Sequence, residues 1–122
     1  MAFSLGARVA TGLMLDDILG VAGAGALKGI KFSVFICGTF PALGVGEEDG
    51  VGRGGEEKKL AVASIHVQGS GDPWAAEGQK LMERYFDQAM ARTVKFTGGH
   101  QVPSGIKETA EIAALVMEVW EG

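Results

Sequence analysis

Three short segments carry side chains of the types that do covalent chemistry. Ala2-Phe3-Ser4-Leu5-Gly6 has the form of the turn G-x-S-x-G, with alanine in place of the first glycine. In that turn a strained strand-to-helix bend projects the serine hydroxyl, and small neighbours let the bend close. Gly69-Ser70-Gly71-Asp72 ends on a carboxylate, and Gly98-Gly99-His100 ends on an imidazole. Each residue also has a plain structural reading: Ser4 as a helix N-cap, Asp72 as a cap ahead of Pro73 at a first helical position, and His100 as a solvent-facing loop residue. Taken together they say more. A hydroxyl nucleophile, an imidazole base and a carboxylate to orient it are the set required for acyl transfer through a covalent intermediate, and that chemistry calls for no metal and no cofactor. His66, the other histidine, falls inside a predicted strand and reads as a packed structural residue. Cys37, the one cysteine, reads as a small apolar residue at a strand end.

The glycine-rich segments offer poorer chemistry. Glycine accounts for 20 of 122 residues, more than twice the usual share of roughly 7%. Gly23, Gly25 and Gly29 have the wrong spacing for a dinucleotide-binding turn, and they follow a predicted helix and precede a predicted strand, the reverse of the context such a turn needs. The cluster from Gly50 to Gly55 lies in a charged loop with no strand before it.

The elements that must position the three chemical residues follow from periodicity. Small and apolar residues over 6–15 predict a helix, and the β-branched and aromatic runs 31–37 and 61–67 predict buried strands. Between them, residues 41–59 mix glycine with acidic residues and predict a long flexible loop, a candidate lid. Residues 74–90 carry Trp74, Leu81, Met82, Tyr85 and Phe86 at helical spacing, and 93–97 alternate as a half-buried strand. A final helix shows Ile106, Ala110, Ala113, Val116, Met117 and Trp120 on one face, and Trp74 and Trp120 are expected to anchor their helices to the sheet. Strands alternating with helices indicate an α/β layer with a mostly parallel sheet. Ser4, Asp72 and His100 then each fall at a strand-to-helix junction, the rim where sites form in open α/β sheets.

Composition bounds the rest. A chain of 122 residues, 47% apolar and 21% charged, suits one packed domain over 1–122. A formal charge of −4 leaves no basic patch for a phosphate backbone, so nucleic acid is not an expected partner. The apolar stretch 5–27 is broken by Arg8, Asp16 and Asp17, which argues against a membrane span, and a basic leader with a cleavage site is not evident. A single cysteine calls for no oxidising compartment, so the expected location is cytoplasmic.

The chain order serine, acid, histidine is that of the α/β-hydrolase triad. With Phe-Ser-Leu-Gly-Ala at 3–7, Lys-Phe-Ser-Val-Phe-Ile-Cys-Gly at 31–38, Gly-Ser-Gly-Asp at 69–72 and Gly-Gly-His-Gln-Val-Pro at 98–103, the sequence resembles the FSH type of serine hydrolases. These are largely fungal α/β-hydrolases related to esterases and to thioesterases of polyketide pathways. The resemblance implies Ser4 as nucleophile, His100 as general base and acid, Asp72 as the orienting carboxylate, and a small ester or thioester as substrate. It also implies a partial fold, the C-terminal half with the N-terminal strands missing. Leu5 N–H would then be the encoded oxyanion donor, with a second donor expected from the missing part. The strand at 31–37 would present an exposed edge through which the chain could self-associate. Three functional readings follow: an active ester or thioester hydrolase, a truncated domain that keeps the triad without turnover, and a small-molecule binder without chemistry.

Overall fold

The computed structural model describes residues 1–18, 30–43 and 59–121. In chain order these form β1 (Ala2–Phe3), α1 (Leu5–Ile18), β2 (Phe32–Ile36), β3 (Ala63–Gly69), α2 (Ala75–Tyr85), a 3-10 turn (Gln88–Met90), β4 (Ala91–Phe96) and α3 (Ile106–Glu121). The four strands make one sheet in the order β1-β2-β3-β4, and every pairing is parallel. This is the expected α/β architecture, a partial α/β-hydrolase sheet with helices on both faces. The loop expected at 41–59 falls mostly outside the described residues, as do Gly23, Gly25 and Gly29 and the glycines from Gly50 to Gly55.

Alternation along the strands sorts the core into two layers. Phe35 of β2 packs with Ala7, Met14 and Leu15 of α1 and with Leu81 and Tyr85 of α2. Val34 and Ile36 face the other way, joining Ile65 and Val67 of β3, Val94 and Phe96 of β4, and the flank of α3. On the α1/α2 side, β3 presents polar residues instead: Ser64, His66 and Gln68 are all buried. His66 Nε2 lies 2.9 Å from Ser64 Oγ, and its ring stacks on Phe35 and meets the edge of Phe86. Burial lowers its pKa from 6.5 to about 4, so it is neutral and structural, as its place in a strand suggests.

Element ends differ modestly from the sequence expectation. Helix α1 starts one residue earlier and runs on to Ile18, through the Asp16-Asp17 pair. Helix α2 stops at Tyr85, where Phe86 turns extended, and Lys59 Nζ donates to the Glu83 and Arg84 carbonyls near its C-terminus. The face of α3 is a correction: Ile112, Leu115, Val116 and Val119 pack on the sheet, while Ile106 and Met117 are exposed. This helix carries apolar residues on more than one side, so periodicity alone cannot choose its buried stripe. Trp74 and Trp120 are likewise half exposed rather than buried anchors; Trp120 meets the Phe32 ring edge-on, with Lys31 Nζ over its face. No helix among the described residues is long and apolar enough to cross a membrane.

Candidate active site

Ser4 occupies the bend between β1 and α1. Ala2 and Phe3 pair with Phe35 and Ile36, Ser4 N donates to Ile36 O at 3.0 Å, and the helix begins on the next residue. The chain turns through a left-handed Ser4 with φ of 53°. Such a conformation costs a non-glycine residue on the order of 1–3 kcal/mol and is a common mark of functional positions. The expected need for a small residue at Gly6 is not met: a Cβ there would touch nothing within 4 Å among the described residues.

Asp72 and His100 sit on the loops after β3 and β4, and these loops are bound to each other through their backbones. Ser70 N donates to Phe96 O and Gly71 N to Gly98 O, both at 2.8 Å. Glycine at 69 is what allows this approach, because a Cβ there would collide with the carbonyl oxygens of Gly99 and Gly98. Asp72 is not the cap of α2 that the sequence suggested: the helix begins at Ala75 with Trp74 as its N-cap residue and Pro73 still ahead of it, so the carboxylate instead orders the turn before the helix while also meeting the imidazole. Its Oδ1 accepts from Trp74 N at 2.8 Å, ordering the entry to α2, and its Oδ2 lies 2.8 Å from His100 Nδ1.

The other ring nitrogen, His100 Nε2, is 2.7 Å from Ser4 Oγ. A proton on Nδ1, held by the carboxylate, leaves Nε2 free to accept from the serine hydroxyl. The structure thus brings together the three residues that sequence reasoning singled out, within hydrogen-bond reach and in the sequence hydroxyl, imidazole, carboxylate. The Asp72 side chain is almost wholly buried and the His100 ring about three-quarters buried, with Phe3 against it. Burial opposes ionisation of Asp72, but hydrogen bonds from His100, Trp74 N–H and the Cys37 thiol outweigh it and hold the carboxyl below its ordinary value. Leu5, the expected oxyanion donor, is the first residue of α1, so its N–H belongs to the helical turn that has no carbonyl partner within the helix.

Sequence reasoning missed Cys37. It follows β2 directly, is buried with a left-handed φ of 49°, and places Sγ 3.4 Å from Gln101 O. Its sulfur, an Asp72 carboxylate oxygen and a His100 nitrogen all lie within 4.8 Å of one another. A thiol, carboxylate and imidazole are donors that suit zinc, but zinc needs the thiolate. Burial, reinforced by Asp72, raises the Cys37 pKa, although backbone groups of Gln101 and Gly69 pull the other way. Asp72 and His100 are moreover already bonded to each other. The available signal was positional: a residue at the carboxyl end of a parallel strand, the same rim as the other three. An apolar recess of about 260 Å³, open to solvent, lies along α1 and β2 and includes none of these four residues in its lining.

Comparison with known proteins matches residues 1–112 to the family model described as serine hydrolase (FSH1). The chain is 38% identical over 131 residues to the thioesterase FSL2 of Gibberella zeae, covering 99% of this chain and 50% of that protein. It is 32% identical over 116 residues to the esterase FUS5 of Gibberella moniliformis, covering 95% and 44%, and 27% identical over 122 residues to the probable esterase azaC of Aspergillus niger, covering 98% and 46%. The chain therefore spans about half the length of the curated relatives it matches. No solved structure matches it.

Proposed function

The chain belongs to the serine hydrolase (FSH1) family, and from that premise we propose that it hydrolyses carboxylic esters or thioesters of small molecules through an acyl-enzyme on Ser4. The observation that carries this reading is the continuous relay from Ser4 Oγ through His100 to Asp72, with links of 2.7 and 2.8 Å. Ser4 Oγ attacks the carbonyl carbon while His100 Nε2 takes its proton, and the Asp72 carboxylate holds the imidazolium and its tautomer. The oxygen that gains charge faces Leu5 N–H, a contribution worth about 10²- to 10³-fold in turnover where such a donor can be removed cleanly. The intermediate collapses, His100 returns the proton to the leaving alcohol or thiol, and the acyl group stays on Ser4. Water, giving its proton to His100, then attacks the acyl carbon; the acid departs and Ser4 recovers its hydrogen.

A fluorophosphonate probe tests the reading. Labelling of the folded chain, abolished by Ser4→Ala, supports it; a folded chain that is not labelled favours the alternative, in which the triad is kept without turnover. We also assign the chain to the cytoplasm, a reducing setting that suits its buried, unbridged Cys37. Self-association through the exposed edge of β2 accompanies this reading, since β1 covers only Phe35 and Ile36 of β2 among the described residues. Sedimentation that returns only monomer at high concentration would remove that part.

A further inference from the structure

Cys37 is placed to act on both of its catalytic neighbours. Its backbone extends the sheet, with Cys37 N donating to Val67 O at 2.8 Å, so the residue is fixed to the rim by β3. From there the sulfur reaches the loop that bears His100, at 3.4 Å from Gln101 O and 3.9 Å from Gly99 O, the carbonyls on either side of that histidine. The same sulfur lies beside the Asp72 carboxylate. A thiol has one proton to give, so at any moment it serves either the loop carbonyl or the carboxylate. Both choices favour the same arrangement: the hydrogen bond to Gln101 O ties the His100 loop to β2, and a thiol proton turned toward the neighbouring carboxylate favours the ionised form of Asp72 that accepts from His100. The left-handed backbone at Cys37 points the same way, because a strained, buried, non-glycine residue persists where its surroundings hold it.

Resting on the triad reading above, we propose that Cys37 is a positioning residue of this hydrolase: its thiol holds the His100 loop and the Asp72 carboxylate in register, so that Nδ1–H stays directed at Oδ2 and Nε2 at Ser4. Cys37 touches no reacting atom. Its effect is carried entirely by the orientation of the imidazole.

The test reads the His100–Asp72 bond itself, so its outcome is separate from whether the chain turns over. In protein labelled with ¹⁵N-histidine, a proton held between Nδ1 and a carboxylate gives a far-downfield resonance, and native protein is compared with Cys37→Ser, Cys37→Ala and Cys37→Gly. Serine keeps a donor and should retain the resonance. Alanine removes the donor and should broaden or abolish it, and glycine covers the case in which alanine does not fold, because glycine accepts the left-handed backbone without strain. If native protein is labelled at Ser4, the donorless variants should also be slowed about tenfold or more, the worth of one hydrogen bond to a charged group. A resonance as sharp and as far downfield in folded Cys37→Ala or Cys37→Gly as in native protein overturns the proposal. Failure of all forms to react with the probe, with the resonance still dependent on Cys37, would instead count against turnover while supporting the positioning role.

Discussion

The two sides of the Ser4–His100–Asp72 cluster are held in very different ways. Asp72 and His100 sit at the ends of β3 and β4, which pair over six positions from Ser64 with Ala91 to Gly69 with Phe96, and their loops are bonded backbone to backbone. Ser4 hangs from a strand of two residues and one further amide bond to Ile36. The Asp72–His100 side is therefore preorganised by the sheet, whereas the Ser4 side depends on a short segment that must also keep a left-handed residue in place. Local opening needs less free energy where few bonds hold the chain, so Ser4 should be the first of the three to lose its geometry.

The largest effect should come from breaking the stronger side chemically while leaving it folded. Asp72→Asn keeps an oxygen for Trp74 N–H but reverses the hydrogen bond to His100, so Ser4 labelling should fall about 10⁴-fold. Circular dichroism should be unchanged. A second test uses pH. The folded pKa of His66, about 4, lies below the ordinary 6.5, so the unfolded chain binds more protons between those values. Stability is then full above pH 6.5 and falls as pH drops, by on the order of 3 kcal/mol by pH 4. Asp72, held below its usual range, extends the fall to more acid pH. Urea midpoints across this range should show the slope, and His66→Gln should flatten its upper part.

Two glycines sharpen the contrast. Gly69→Ala forces a methyl group into two backbone carbonyls and should cost about 1–3 kcal/mol, with labelling reduced in parallel. Gly6→Ala, on the serine side, meets nothing within 4 Å among the described residues and should stabilise α1 by up to about 1 kcal/mol, with labelling little changed. Equal losses from the two substitutions, read by the same urea and labelling assays, would erase the distinction between the two sides.

The clustering of Ser4, Asp72 and His100 was legible because each lies where a strand gives way to a loop or helix, and the turn chemistry around each is written in glycine and proline. The parallel sheet was legible for the same reason: 31–37 and 61–67 are apolar runs too short for helices. The stripe of α3 was not, because Ile106, Met117 and Trp120 are as apolar as Ile112, Leu115 and Val119, and only the sheet decides between them. Cys37 was read as filler because its burial is visible in the sequence and its neighbours are not. The carbonyls it faces belong to residues more than sixty positions away.

Asp72 divides its two oxygens between the residue that leads into a helix and an imidazole. A rigid-body tilt of α2 would therefore pull on the carboxylate, and through it on the tilt of the His100 ring. Anything that leans on the outer surface of that helix, on Lys80 or Glu83 for example, has a mechanical handle on the hydrogen-bonded chain from Asp72 to Ser4 without touching it.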